Sequence, residues 1–283
     1  MYSVPSLAQA GETIDSTKRE VFPGGKGLNQ SIAAAKAGCS VVHYGAVGPD
    51  GSDLIDYLIE HQVNAASVLR LDDASGHAFI QVDTNGQNAI VIHGGSNRVL
   101  PERYWQDAID SMEMGDWLLL QNETNAIADM IEHAHQKGAN IAINVAPADP
   151  SVRTLPIEKT NLLIVNEAEA CLLAGKEDAD AAFATLCTQL KDTDVVMTLG
   201  KDGLRMCSGP DRTQSSLTAY EVAAIDETAA GDAFVGYVMA DLVAGASLDV
   251  ATMRGSAAGA LAVTKAGAAP SIPSADEVAD LLR

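Results

Sequence analysis

DWLLL at residues 116–120, NIAINV at 140–145, NLLIV at 161–165 and DVVMTL at 194–199 are four short apolar runs. Each is too short for a stable helix and too continuously apolar for a half-exposed strand. That is the signature of a strand buried on both faces. Segments with helical spacing flank them, Ala126–Lys137 and Ala179–Lys191 among them. Strand and helix in alternation predict a parallel sheet with helices on both faces. VVHYGAV at 41–47 reads as a further buried strand and Asp53–His61 as a helix. The C-terminal third reads as two long Ala-rich helices, Gly231–Ala244 and Leu248–Lys265.

One segment breaks the alternation. His77–Asp83 and Asn88–His93 are apolar-rich runs joined around Asn85-Gly86, which predicts an antiparallel hairpin. Set into an α/β domain, it reads either as a lid or as an edge hairpin with no role. No repeat, linker or low-complexity tract divides residues 1–283, so one main domain is expected.

Composition narrows the ligand classes. The chain has 38 acidic against 18 basic residues, a formal charge of −20. That field repels nucleic acid and anionic lipid, so neither is an expected partner. An anionic ligand must then be held locally, by backbone N–H groups, helix N-termini, a few cationic side chains or a metal. Cys39, Cys171, Cys187 and Cys207 form no C-x-x-C pair and are expected to be small buried apolar side chains in a reducing compartment. No apolar run reaches the roughly 18 residues of a membrane span, and Met1–Glu20 lacks a basic-then-apolar leader pattern. A cytoplasmic setting is expected. His133 and His135 are two apart and share no helix face, so a zinc site is not expected.

Chemistry concentrates in two stretches. In DETAAGDAF, 226–234, small residues and a glycine lead straight into a helix, leaving its first N–H groups open to an anion. Asp232 falls in the first helical turn. Alone it reads as a carboxylate that favours the helix dipole; beside a phosphoryl site it pairs a general base with an anion hole. In PGGKGLNQ, 23–30, Lys26 lacks the following Ser or Thr of a Walker loop, and Gln30 stands where a dinucleotide fingerprint needs its third glycine. The glycines still let backbone approach a ligand, and Lys26 and Asn29 bring a charge and a two-way hydrogen-bonding amide.

GGKGLNQSIAAAKAG resembles the N-terminal signature of the ribokinase-like (PfkB) sugar kinases, and DETAAGDAF resembles their C-terminal signature. Asn144-Val145-Ala146-Pro147-Ala148, Asn166-Glu167-Ala168-Glu169, Thr198–Gly203 and Lys265–Ser271 resemble the family's intervening segments. The likeness runs from about Gly11 to the end.

The resemblance implies a three-layer α/β sandwich, its mostly parallel central sheet flanked by helices, with a small β lid built from about 11–22 and 66–95. It implies ATP-dependent phosphorylation of D-ribose to D-ribose 5-phosphate. Asp232 would be the general base, with the N–H groups of Ala229, Ala230, Gly231 and Asp232 facing the transferring phosphoryl. Sugar contacts carried over are Gly25, Lys26, Gly27, Asn29, Glu123 and Asp232. Nucleotide contacts are Asn166, Thr198, Leu199, Gly200, Lys201, Asp202, Gly203, Gly231 and Ser256. Mg2+ would accompany ATP, organised by Glu169 partly through water. An activating K+ would take oxygens of Asp226, Thr228, Ala262, Lys265, Gly267 and Ser271. The implied assembly is a homodimer through the lid.

The family's first strand, which ends in an Asn-x-Asp segment that binds the sugar, has no counterpart before Gly11-Glu12-Thr13 and is expected to be absent. A sugar site short of one hydrogen-bonding group typically loses about 1–3 kcal/mol. Two alternatives stay open: a kinase for another sugar or a nucleoside, and a non-catalytic sugar or nucleotide binder.

Overall fold

A computed structural model describes all of residues 1–283. Two short strands, β1 (Tyr2–Ser3) and β2 (Lys18–Arg19), precede α1 (Lys26–Lys36). Then come β3 (Ala46–Val47), α2 (Ser52–Glu60), β4 (Leu69–Arg70) and the hairpin β5 (His77–Val82) and β6 (Asn88–His93). The alternating middle is α3 (Glu102–Asp110), β7 (Trp117–Gln121), α4 (Ile127–Lys137), β8 (Asn140–Asn144), β9 (Leu162–Asn166), α5 (Glu167–Ala174), α6 (Ala179–Gln189) and β10 (Asp194–Thr198). β11 (Leu204–Ser208), β12 (Thr213–Leu217), α7 (Ala230–Val243), α8 (Leu248–Ala262) and α9 (Ala275–Leu281) complete the chain.

The central sheet has the order β12-β11-β10-β9-β8-β7. Its four strands β7 to β10 are parallel, and β11 and β12 are antiparallel additions. Side chains alternate cleanly between the faces. Ile141, Ile143, Leu163, Val165, Val195 and Met197 join one core with Ile131 and Ala134 of α4 and Phe183 and Leu186 of α6. Ala142, Leu162, Ile164 and Val196 join another with Phe234, Val235 and Val238 of α7 and Ala251 of α8. Both faces are dry, which is why these strands read as unbroken apolar runs. A third core ties α1 to α7, α8 and α9 through Ile32, Ala33, Tyr237, Ala257 and Val278. No helix is long and apolar enough to cross a membrane.

Three expectations need correction. The Val41–Val47 run is not a continuous buried strand: only Ala46–Val47 is regular, and Val42 and Tyr44 are exposed. Val42 lies opposite Asn64 and Ala46 opposite Leu69, so the partner side carries one extra residue between those points. The phenol of Tyr104 fills that bulge, bonding both main-chain groups of Gly45 and the Ser67 carbonyl. β3 and β4 form a separate pair, with no strand joining β3 to β7. The cysteines are not uniformly buried: Cys187 and Cys207 are, while Cys39 and Cys171 are half-buried. The hairpin belongs to a four-stranded sheet of order β2-β1-β5-β6, so Tyr2–Ser3 lies in it, and Leu69–Arg70 pairs elsewhere.

Candidate active site

The four parallel strands end on polar residues. Gln121 closes β7, Asn144 β8, Asn166 β9 and Thr198 β10. Register sets them in two pairs along the carboxyl edge of the sheet, Gln121 opposite Asn144 and Asn166 opposite Thr198, with Asn144 itself opposite Ile164. Ligands of open α/β sheets bind at that edge. The N-termini of α1 and α7 converge on it. A cavity of about 200 Å³ lies there, lined by Lys26, Asn144, Asn166, Glu169, Thr198, Glu227, Ala229, Gly231 and Asp232 among others.

Asp232 is 6% exposed. The Asn29 side-chain amide donates to its Oδ2 at 2.8 Å and the Gln30 amide to its Oδ1 at 2.9 Å. Each carboxylate oxygen thus has one fixed donor and lone-pair capacity to spare. Asn29 Oδ1 is buried without a donor, an acceptor facing no protein group.

Ala229, the residue that caps the start of α7, sits in the left-handed region at φ 62°, ψ 7°. That conformation costs a non-glycine residue about 1 kcal/mol or more, and such strain concentrates at functional sites. The kink opens the helix start. The N–H groups of Ala229, Gly231 and Asp232 have no partner in the chain, while that of Ala230 turns back to the Glu227 carbonyl at 3.3 Å. Ala230 is therefore the one of the four expected donors with another partner. Open N–H groups at a helix N-terminus form an anion site.

Glu123 stands just past β7. Its Oε2 accepts the main-chain N–H of Lys26 at 3.1 Å, tying it to the start of α1. Burial raises its carboxyl above the usual range, against the pull of the Lys26 charge and N–H. Gly25, at φ 103°, uses a conformation that favours glycine just before this contact. A side chain at Gly27 would meet Gln121 Oε1 at 3.4 Å and the His43 ring at 3.5 Å.

Asn166 and Glu169 form a capping box at the start of α5: Asn166 Oδ1 accepts from the Glu169 N–H and Glu169 Oε2 from the Asn166 N–H, both at 2.9 Å. Glu169 is 8% exposed, and burial pushes its carboxyl up, with the Asn166 N–H and the Lys26 charge opposing. Its Oε1 remains a hard oxygen donor at the cavity, the type of ligand that suits Mg2+.

The Thr198–Gly203 segment leaves the sheet as a tight turn, with the Leu199 N–H on the Gly203 carbonyl at 2.8 Å. Thr198 lines the cavity, Lys201 and Asp202 are exposed, and the Leu199 side chain packs into the core, leaving only its main chain for a ligand. Gly203 has φ 99°, and a Cβ there would lie 2.0 Å from the Leu217 carbonyl oxygen, so this turn admits only glycine. Ser256 is half-buried on α8 and does not line the cavity.

Beneath the α7 start, Asp226 Oδ1 accepts from the Thr228 N–H at 2.9 Å and hydroxyl at 2.6 Å, and Oδ2 from the Gly267 N–H at 2.9 Å. Burial pulls the Asp226 carboxyl upward, but these donors outweigh it and hold it below the usual value. Three of the six residues expected around a monovalent cation are therefore in direct contact. Of the others, the Ala262 carbonyl takes the Lys265 N–H, the Lys265 ammonium pairs with Glu277, and the Ser271 hydroxyl bonds the Ala268 carbonyl. Main-chain carbonyls are the oxygens left for a cation.

Sequence reasoning missed the second amide layer. Gln30 is 1% exposed and contacts Asp232, Asn144 and Gln121. The available signals were the place of Gln30 in the GGKGLNQ motif and the polar residues at or near the ends of the apolar runs.

The sequence pattern of the pfkB family carbohydrate kinases matches residues 2–275. The ribokinase of Haemophilus influenzae is 32% identical over 290 residues, spanning 99% of this chain and 94% of its own. The deoxyribokinase of Salmonella typhi is 27% identical, spanning 98% and 92%. Among solved structures, the ribokinase of Cryptococcus neoformans var. grubii serotype A in complex with ADP superposes with a TM-score of 0.86 at 30% identity, covering 99% of this chain and 94% of that one. The ribokinase of Arabidopsis thaliana complexed with ribose and ATP gives 0.84 at 25% identity, covering 100% and 94%.

Proposed function

We propose that this chain, which belongs to the pfkB family of carbohydrate kinases and is an ATP-dependent sugar kinase, transfers the γ-phosphoryl group to D-ribose to give D-ribose 5-phosphate. The observation that carries the reading is the juxtaposition at the start of α7. A buried carboxylate, held by two amides, stands beside unpartnered N–H groups at a helix N-terminus. Asp232 takes the proton of the attacking sugar hydroxyl, and the Gly231 and Asp232 N–H groups stabilise charge on the transferring group. Phosphoryl transfer asks little else of a protein than positioning and charge neutralisation. Asn29 Oδ1, buried without a donor, suits a sugar hydroxyl, and Glu123 closes the same side from β7. Ribose is favoured over 2-deoxyribose because, at similar coverage, the ribokinase of Haemophilus influenzae is 32% identical and the deoxyribokinase of Salmonella typhi 27%.

Glu169 is the protein ligand for a Mg2+ that accompanies ATP and offsets phosphate charge, with Asn166, Thr198 and the turn to Gly203 beside the nucleotide. The Asp226–Thr228–Gly267 contact supports a K+ site on main-chain carbonyls, and equal rates in sodium and potassium salts would count against it. The exposed Phe79, Ile90, Val91 and Ile92 of the β5–β6 hairpin support a lid that also pairs two copies. Sedimentation of a lone 29.4 kDa species at assay concentration would refute that pairing. A cytoplasmic setting supplies the ATP.

ADP release is to be measured across D-ribose, 2-deoxy-D-ribose, other pentoses and nucleosides, with Asp232→Asn as the control. Ribose is expected to give the highest kcat/KM and the variant to lose about 10²–10⁴-fold. A variant matching the parent would remove Asp232 as the base, and a higher kcat/KM on another sugar would replace ribose.

A further inference from the structure

We propose that Gln121 is a positioning residue for phosphoryl transfer: it sets which face the Gln30 amide presents to Asp232. The inference rests on Asp232 being the base. A glutamine amide has a donor end and an acceptor end, so its usefulness to a carboxylate depends on which way it is turned. Here Asp232 and the Ile164 carbonyl can only accept, and Gln121 supplies the donor at the other end of the Gln30 amide that holds this orientation.

Gln121 Nε2 donates to Gln30 Oε1 at 2.7 Å. The Gln30 oxygen is therefore turned toward β7, and its amide nitrogen donates to Asp232 Oδ1 at 2.9 Å and to Asn144 Oδ1 at 3.2 Å. Asn144 is oriented in turn, because its own nitrogen donates to the Ile164 main-chain carbonyl at 3.1 Å, which can only accept. An ionised carboxylate also can only accept. The chain Gln121 to Gln30 to Asp232 and Asn144, and on to Ile164, thus runs in one direction throughout. Gln30 is 1% exposed and does not line the cavity, so a reversed amide would have to find its partners among these same neighbours. Gln121 does not line the cavity that Asp232 lines. It ends β7 and acts on the base through Gln30.

The test uses the polarity of the side chain rather than its size. In Gln121→Glu an acceptor replaces the donor at nearly the same volume. At about pH 8 it faces Gln30 Oε1 with a carboxylate, which favours the reversed amide and turns an oxygen toward Asp232. In Gln121→Met the Gln30 oxygen loses its donor without being repelled. The expected order of kcat is parent, then Gln121→Met lower by about tenfold, then Gln121→Glu lower by about a hundredfold, the range typical of hydrogen bonds to charged groups. KM for sugar and for ATP should stay within about threefold. A packing role alone predicts the opposite order, since the near-isosteric Glu would disturb less than Met.

The second arm is a double-mutant cycle. Gln30→Met removes the donor itself and is expected to lower kcat by about a hundredfold; placed in that background, Gln121→Met should add less than about twofold. Parent-like kcat in Gln121→Met, Glu milder than Met, or effects that multiply would each overturn the inference. Chemical denaturation and ATP binding of every variant report whether the fold and nucleotide site are retained. If Asp232→Asn retains full activity, the reading of the base fails. If Asp232→Asn is inactive while both Gln variants work normally, only this inference fails.

Discussion

Replacing Gly236 with alanine tests how far the site depends on the α1–α7 crossing. Gly236 is in the middle of α7 and is buried against α1. A Cβ built there would lie 2.3 Å from Ala33 Cβ, 2.7 Å from the Ala34 nitrogen and 2.7 Å from the Gln30 carbonyl oxygen. Carbon atoms pack comfortably at about 3.5–4.0 Å. Two of the three obstacles are backbone, so no rotamer change relieves them and the helices must part by about 1 Å. Two terms of opposite sign compete. Alanine is intrinsically better in a helix than glycine by about 1 kcal/mol. Overpacking a tight core costs about 1–3 kcal/mol, and a backbone clash this short belongs at the upper end. The net expectation is a loss of about 1–2 kcal/mol, or a melting temperature lower by about 2–4 °C. The functional effect is larger. α1 carries Asn29 and Gln30, whose bonds to Asp232 on α7 are 2.8 and 2.9 Å. Parting the helices by about 1 Å stretches both past hydrogen-bonding range, and a misplacement of that size typically lowers turnover by about a hundredfold. The assay is kcat and KM for sugar and ATP, alongside urea and thermal unfolding. Adding Ala33→Gly removes the shortest contact but leaves both backbone ones, so only partial recovery is expected. The reasoning is refuted if Gly236→Ala melts higher than the parent, as a substitution ruled by helix propensity would, and keeps its kcat.

Glu169→Gln should separate function from stability: Gln keeps an acceptor for the Asn166 N–H, while the carboxylate that burial disfavours is gone. A raised carboxyl favours the protonated folded form, so the variant's melting temperature should equal or exceed the parent's, more so as pH rises, while kcat with Mg-ATP falls by about tenfold or more; a less stable variant with full activity would contradict this. At α9, the Lys265 ammonium 2.6 Å from Glu277 and the Ser274 N–H at 2.7 Å depress that carboxyl to about 2. Its contribution is fully present above its ordinary value of 4.5 and is lost as pH falls toward about 2. The pair is largely exposed, so Glu277→Gln should lose under about 1 kcal/mol at neutral pH, and urea titrations of parent and variant should converge near pH 2–3; a gap independent of pH would show that charge is not its origin.

What the sequence made legible follows from where each segment finds its stabilisation. The strands β7 to β10 are buried on both faces, so their composition alone identifies them. β12, TQSSL, is mostly exposed and owes its form to five paired positions on β11, a partner that no local pattern names. VVHYGAV has strand composition, yet Val42 and Tyr44 are exposed and only Ala46–Val47 is regular, so composition overstated the order there. The site divides along the same line. Gly231, Asp232, Lys26 and Asn29 lie in short motifs whose chemistry reads from adjacent residues. Gln30 and Gln121 lie 91 residues apart, and hydrogen-bond direction is a property of the meeting, not of either residue. Yet part of this layer has a sequence trace. Gln121 and Asn166 directly follow apolar runs, and Asn144 and Thr198 interrupt theirs one residue from the end, each with a hydrogen-bonding side chain. In a parallel sheet those ends lie side by side. Polar residues paired at neighbouring strand ends, Gln121 with Asn144 and Asn166 with Thr198, are therefore a site-level pattern, visible once alternation has established that the strands are parallel. The amides that hold the base, Asn29 and Gln30, come instead from α1, and their reach depends on how closely α1 packs against α7. The small residues that allow that approach, Gly236 and Ala33, are thus as much part of the site as the side chains that line it.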